Sequence, residues 1–336
     1  MDKARTLILY VTHQDCYNLE VFIKRGLIDS PDKHFIFTFN NPSPDLKRWS
    51  FLHSHPNVTL FVRPNIGHDF QGWNEALHLP ETCLKKKIVY ANAIEPNLTF
   101  VSDFIKYGNP PDKSSSSEVV GDYTPCFPEE FSEKDIDLPV VKLTSSRVSV
   151  PVHTLFDKFV FINSTVAGPY LPTYVPLDWA DCFTSKLSDT VKITGISANC
   201  MAGHTFPDIQ AHIKQAYNLV VYDHSHIQSM AYSLDREGLG ILLRHKLFYE
   251  GKRFPADKWT LICTAEIAMS SLLRAEGKSI FAYMMGHGLI TCHEIRRSND
   301  WWGYKGFYPI CEMMFVKDNN INTFPERKRY DDSLYI

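Results

Sequence analysis

Within the first 77 residues, apolar runs of strand length alternate with stretches patterned for helices, an order that few folds satisfy. Leu7-Ile8-Leu9-Tyr10-Val11, His34-Phe35-Ile36-Phe37-Thr38-Phe39 and Val58-Thr59-Leu60-Phe61-Val62 read as strands. Cys16 to Leu27 reads as a helix with Leu19, Phe22, Ile23 and Leu27 on one face. A short helix is expected from Leu46 to Leu52, and Phe70, Trp73 and Leu77 recur at helical spacing after the third strand. Strands separated by helices imply an α/β fold whose sheet is largely parallel, with right-handed crossovers.

The pattern resumes later in the chain. Phe159-Val160-Phe161-Ile162, Val191 to Ile196, Leu219 to Tyr222 and Lys278 to Tyr283 read as strands, and Met313 to Lys317 as a further one. A helix is expected after Pro207, and Ile227 to Leu243 reads as mainly helical. Thr264 to Ala275 reads as a helix capped by Thr264 and ended by Gly277. Residues 1–336 are read as a single domain, with a polar, breaker-rich loop insertion at about 108–138.

The net charge is −3 with histidine neutral, which excludes nucleic-acid binding by general electrostatics. The eight cysteines include no C-x-x-C pair, against zinc ribbons and thioredoxin-type chemistry. The charged start (Asp2, Lys3, Arg5) does not read as a secretory leader, and no run reaches membrane-spanning length. Reduced thiols, no transmembrane segment and a cytoplasmic location are therefore expected.

Candidate chemistry falls at strand ends and helix starts. Thr12-His13 follows the first strand, Asn163-Ser164 follows the Phe159 strand, and Arg63-Pro64-Asn65-Ile66-Gly67-His68-Asp69 joins the third strand to a helix. Free backbone N–H groups at such a helix start attract phosphate or sugar oxygens. The plainer alternative is a cap, with Asp69 satisfying the first turn and Gly67 relieving a strained dihedral. Glu266, expected in the first turn of the Thr264 helix, would be held ionised by the helix dipole and so suit proton removal from a sugar hydroxyl. Dipole complementation alone is the alternative. Asp223-His224-Ser225-His226 has the composition of a metal cluster but reads as polar loop residues, and His287 and His293 are read the same way. Trp301-Trp302, Tyr304 and Phe307-Tyr308 are either a stacking platform for sugar rings or core packing. No G-x-G-x-x-G, Walker or G-x-S-x-G motif is present.

Several motifs in order resemble nucleotide-sugar glycosyltransferases of the GT-A type. These are Arg63-Pro64-Asn65-x-Gly67-x-Asp69-Phe70-x-x-Trp73, Phe159-Val160-Phe161-Ile162-Asn163-Ser164-Thr165-x-x-Gly168-Pro169, His226-Ile227-Gln228-Ser229-Met230 and Asp235-Arg236-Glu237-Gly238-Leu239. Glu266 with Gly277, and Pro309-x-x-Glu312-x-x-Phe315-x-Lys317, complete the set. The chain is most similar to the rhamnan-synthesis F-like group and related transferases of algae and large algal viruses (chloroviruses).

The resemblance implies a GT-A, Rossmann-like fold with a mostly parallel central sheet flanked by helices. It implies a nucleoside-diphosphate sugar donor, UDP-linked by preference, and an oligosaccharide or glycoprotein acceptor. For the viral members it implies capsid glycan synthesis in the host cytoplasm. It places Thr12, His13, Arg63, Asn65, Gly67, Asp69, Trp73, Asn163 and Ser164 around the donor, and Gln228, Trp301 and Trp302 beside the acceptor. Asn163-Ser164 falls where the family carries an acidic Asp-x-Asp metal motif. Neither residue is an acid, which puts dependence on Mn²⁺ or Mg²⁺ in doubt and leaves no metal ligands assigned. Glu266 falls where inverting members place the base, with Asp223 as the alternative. A retaining transferase, a degenerate fold that only binds glycans, and a metal hydrolase built on Asp223, His224 and His226 are the rival readings.

Overall fold

The computed structural model describes residues 3–13, 16–41, 48–49, 51–52, 55–85, 88–91, 140–142, 150–171, 174–201, 208–283, 291–297 and 314–317. The expected insertion at about 108–138, Leu46, Lys47 and Ser50 of the expected Leu46–Leu52 helix, His287, Trp301, Trp302, Tyr304, Phe307, Tyr308, Pro309, Glu312 and Met313 lie outside these residues.

The strands are β1 (Thr6–Thr12), β2 (Lys33–Phe39), β3 (Val58–Val62), β4 (Ile88–Tyr90), β5 (Val140–Lys142), β6 (Lys158–Asn163), β7 (Val166–Ala167), β8 (Val191–Gly195), β9 (Ala198–Cys200), β10 (Ser225–Ile227), β11 (Ala231–Asp235), β12 (Ser279–Ala282) and β13 (Val316–Lys317). Nine of them form one sheet in the order β12-β8-β11-β6-β1-β2-β3-β4-β5. Every neighbouring pair is parallel except those made by β11, which runs against both β6 and β8. The chain is thus α/β with a large, mostly parallel mixed sheet, compatible with a Rossmann-like fold.

Side-chain alternation builds two cores from this sheet. Leu7, Leu9 and Val11 of β1, with Phe159 and Phe161 of β6, face one core. Ile8 and Tyr10, with Val160 and Ile162, face the other. Because both faces are covered, all seven residues of β1 are buried, and the strand reads as a continuous apolar run. The helix Tyr17–Gly26 lays Leu19, Phe22 and Ile23 on the second core. The helix His68–Leu77 lays Phe70, Trp73, Ala76 and Leu77 on the first.

The chain begins at β1, builds outward through β2 to β5, and then returns to place β6 on the other side of β1. This reversal of direction opens a crevice at the carboxyl ends of β1 and β6, the general ligand position in open α/β sheets.

Four expectations are corrected. Leu219 to Tyr222 is not a strand; Val220 and Tyr222 are exposed, and the strand is the shorter Ser225–Ile227. Ile227 to Leu243 is a strand followed by a helix, Arg236–Arg244, whose N-cap Asp235 accepts from Gly238 N at 2.7 Å. The helix containing Glu266 starts earlier than expected, with Asp257 as its cap accepting from Thr260 N. It runs as Lys258–Leu261, a π-helical segment Ile262–Ile267, and Ala268–Ala275. Its end is as expected: Gly277 takes φ +71°, and the bonds Lys278 N to Leu273 O and Gly277 N to Arg274 O close a Schellman motif. Finally, Cys200 and Cys292 form a disulfide, against the expectation of reduced thiols. A partner 92 residues away leaves no local spacing to read. Cys16, Cys83, Cys182 and Cys263 are free thiols. No described helix is long and apolar enough to cross a membrane.

Candidate functional site

The crevice between β1 and β6 gathers three polar side chains from three places in the sequence. His13 follows β1, Asn163 ends β6, and Asp69 lies in the first turn of the helix after β3. His13 Nε2 lies 3.0 Å from Asp69 Oδ1. Asn163 Nδ2 donates to Asp69 Oδ2 at 2.9 Å. Asn163 Oδ1 accepts from Thr165 N at 3.1 Å, which fixes the orientation of the side-chain amide.

Asp69 therefore ties the strand ends together instead of capping its helix. The N-cap is Gly67, without a side-chain bond and in the left-handed region at φ 71°. A Cβ there would fall 2.8 Å from Gln71 Cβ, so the turn needs glycine on both counts.

Pairing with Asp69 raises the His13 pKa above its ordinary value. Burial opposes the shift, a hydrogen bond with Asn65 adds to it, and the Arg63 charge works against it. The stability from this pair is complete below the ordinary histidine value and fades as pH rises through the raised one. Asp69→Asn is expected to bring the His13 titration back down, followed by the imidazole signals in NMR. An unmoved midpoint would show that the ring answers to something else.

Several residues assigned to the donor serve the scaffold. Trp73 is wholly buried, edge-on to Phe161 and Tyr232 with ring centres 5.8 and 5.5 Å away. Arg63 is buried and spends its guanidinium on Glu75 (2.7 Å), Asn40 (2.6 Å) and the carbonyl of Ile66 (2.8 Å). It pins the turn that presents Gly67 and Asp69. Thr12 is buried, and its carbonyl accepts from Asn40 N. Ser164 N donates to Val11 O, and Ser164 O accepts from Asn18 Nδ2, locking the end of β6 to β1 and to the first helix. Asn65 and Ile66 are exposed at the rim.

Glu266 reaches the same edge of the sheet by way of the peptide that leads into β11. Its Oε2 accepts from Ser229 N at 2.9 Å and from the Ser229 hydroxyl. Ser229 precedes Met230, whose carbonyl accepts from Asn163 N at 3.0 Å. Because β11 is reversed, its start at Ala231 lies at the edge where β6 ends, paired with Ile162. Tyr232 bridges the two halves: its ring packs on Trp73, and its hydroxyl is subject to the charges of both Glu266 and Asp69. With burial as the main cause, these charges hold the Tyr232 pKa well above the ordinary value.

Glu266 is not in a first helical turn, so the helix dipole is not what holds it ionised. It sits in the π-helical segment, a kind of local widening that recurs at functional sites. The carbonyl of Thr264 there accepts from Tyr217 Oη at 2.5 Å, while the Thr264 hydroxyl bonds back to Thr260 O at 2.7 Å. Burial presses the Glu266 pKa upward, but His226 and Ser229 outweigh it, and the net shift is downward.

The remaining candidates divide. Asp223 accepts from Ser225 N at 2.7 Å and from Cys292 N at 3.2 Å, with Arg274 4.0 Å away, so its carboxylate is spent locally. His226 is not a polar loop residue: it is buried in β10, while His224 lies in the loop just before the strand and is buried too. Gln228 Oε1 accepts from the Ser197 hydroxyl at 2.8 Å. His293 is exposed. Sequence reasoning missed Tyr232 and the role of Ser229, although Ser229 stands inside the His226–Met230 motif. It also missed the clamp on the helix His68–Leu77, where Gln71 and Asn74 bond to Lys252 O, Phe254 N and Tyr249 O.

No protein-family model matches the chain, and no curated protein matches it.

Proposed function

We propose that the chain is a glycosyltransferase that moves a sugar from a nucleoside-diphosphate donor, UDP-linked by preference, to a hydroxyl of a glycan acceptor with inversion. The observation that supports this most is that Asn163, which holds Asp69 at the β1/β6 crevice, bonds to Met230 O at 3.0 Å, next to Ser229, which holds the Glu266 carboxylate of a distant helix at 2.9 Å. Such a crevice suits a dinucleotide-sized or diphosphate ligand, and a carboxylate across it suits proton removal. The Arg63–Trp73, Phe159–Pro169 and His226–Met230 stretches, which resemble GT-A transferase motifs, lie on or beside these elements.

In this reading His13, with Asn65 beside it, faces the diphosphate. Asp69 and Asn163 orient His13, and Arg63 and Gly67 shape the turn that carries them. The acceptor oxygen attacks the anomeric carbon as Glu266 takes its proton, and the diphosphate leaves from the opposite side. Positive charge at His13 and backbone N–H groups at the helix start stabilise the leaving group.

A resident Mn²⁺ or Mg²⁺ does not fit the side chains at the crevice. The Asn163 amide is committed to Asp69 and Thr165, Ser164 is neutral, and the Asp69 carboxylate is divided between His13 and Asn163. Hard divalent cations want several anionic or carbonyl oxygens in one shell. Among the described residues no group of three His, Cys, Asp or Glu is placed to hold a metal ion.

A thermal-shift screen of UDP-, GDP- and dTDP-sugars, with and without Mn²⁺, tests the reading. The true donor should raise Tm by mass action, by an amount equivalent to about 2.7 kcal/mol at a hundredfold excess over Kd. A flat response to every donor would remove the proposal. The neutral Asn163-Ser164 pair favours one second reading, a transferase fold that binds glycans without turnover. A donor that raises Tm without release of free nucleoside diphosphate in the presence of acceptor glycans would favour it.

A further inference from the structure

His226 is completely buried, yet its Nε2 has no hydrogen-bond partner among the described residues. The other ring nitrogen, Nδ1, lies 2.8 Å from the carbonyl oxygen of His224. A carbonyl can only accept, so Nδ1 carries a hydrogen. In a neutral ring, Nε2 would then present a bare lone pair. That atom faces Glu266 Oε1 at 3.6 Å. Two lone pairs facing each other repel, and the buried Nε2 stays unsatisfied at a cost. One proton between them turns the opposition into an attraction. Closure by about 0.8 Å would bring the pair into the range of a charge-assisted hydrogen bond.

The other charged and titratable groups around the pair do not supply this proton. Tyr232, on β11, feels Glu266 and Asp69 but has its hydroxyl without a hydrogen-bond partner among the described residues. Arg274, on the helix Ala268–Ala275, donates to Ser225 O at 2.7 Å and faces Asp223 at 4.0 Å. His224 turns its Nδ1 to Met201 O at 3.2 Å. The Tyr217 hydroxyl is spent on Thr264 O. The neutral Ser270 hydroxyl oxygen accepts from Ile227 N at 3.0 Å. Among the described residues, His226 is the one side chain able to carry a positive charge that is recorded at ion-pair distance from Glu266.

We propose that His226 and Glu266 share one proton, and that His226 is the positioning residue that keeps Glu266 a carboxylate and sets the direction of Oε1. This rests on the reading of Glu266 as the base. Oε2 is held by Ser229, so Oε1 keeps a second lone pair for the acceptor hydroxyl. As transfer proceeds, the acceptor proton passes to that lone pair. The acceptor oxygen's electrons form the bond to the anomeric carbon. The bond from that carbon to the diphosphate breaks, and its electron pair leaves with the diphosphate. His226 keeps its proton throughout. The lowered pKa of Glu266 agrees with a cation held beside it.

The wild-type protein labelled with ¹⁵N-histidine gives the first test. Both His226 nitrogens should resonate as protonated near neutral pH; a bare Nε2 would overturn the shared proton. The second test follows the Glu266 carboxyl by ¹³C NMR in wild type and His226→Gln, with the signal assigned by its loss in Glu266→Gln. Without the cation, burial dominates and the carboxyl should titrate at higher pH. The acidic limb of kcat/KM should move with it, so that activity on that limb falls about tenfold or more. Activity should recover at higher pH, with donor KM unchanged. A merely structural role would lower activity equally at every pH, and an unmoved carboxyl titration in folded His226→Gln would refute the pairing. A moved titration without sugar transfer from any donor would uphold the pair and remove the transferase reading.

Discussion

Glu266→Gln is expected to lose about 10²–10⁴-fold in transfer rate while donor affinity stays at the wild-type level. Glutamine keeps the volume and an oxygen that accepts from Ser229 N, so the loop before β11 should hold its place. What it lacks is an anionic oxygen to take the acceptor proton. The expected pattern is a fall in kcat with an unchanged Kd for the donor, measured by single-turnover kinetics and calorimetry. Turnover near wild type would remove Glu266 from the role and turn attention to Asp223. Asp223 is the weaker alternative, because its carboxylate already accepts from Ser225 N and Cys292 N.

Trp73→Ala is expected to destabilise the fold by about 3–5 kcal/mol, read from the shift of the urea midpoint. The indole is completely buried, and it meets Phe70, Phe161 and Tyr232 edge-on with ring centres 5.3 to 5.8 Å away. Removing it opens a cavity where the first core meets the mouth, and such a loss is a large share of a typical domain's stability. Trp73→Phe should cost much less, since a ring remains to face Phe161 and Tyr232. A small loss in Trp73→Ala would mean that the neighbouring rings collapse into the space. The same substitution separates two roles for this residue: a donor contact would weaken binding in folded protein, whereas a core residue weakens the fold first.

The amino-terminal half of the sheet was legible because its signals are long and repeated. β1, β2 and β3 are runs of five to seven residues buried on both faces, and Leu19, Phe22 and Ile23 mark one helical stripe. The region from β9 to β11 was not legible in the same way. β9 and β10 have three residues each, too few to display a period, and each is covered by a helix distant in sequence, Cys292–Arg297 on β9 and Ala268–Ala275 on β10. The apolar Leu219 to Tyr222 run carried the stronger strand signal but faces solvent in part. At the site, the turn chemistry of Gly67 was readable, whereas the partners of Asp69 were not. They come from positions 13 and 163 and meet only because β1 and β6 are neighbours. Arg63 and Trp73 fit a ligand motif and a scaffold equally well on paper; burial decides between them. The start of the Glu266 helix was missed because Thr264 matched a cap, while the true cap, Asp257, lies seven positions earlier. The Cys200–Cys292 pairing is a property of the folded chain alone.

The one strand that runs against its neighbours has an evolutionary consequence. A sheet of purely parallel strands offers a ligand only the exits of its strands. By turning β11 around, the chain also offers an entrance, and the peptide leading into it carries Ser229 and, through it, the Glu266 carboxylate. In the proposed transferase, the two halves of the reaction would hang on separate stretches of polypeptide, one after β1, β3 and β6 and the other before β11. Either stretch is free to be rewritten while the other is retained, so a lineage built on this plan can exchange one substrate without relearning the other.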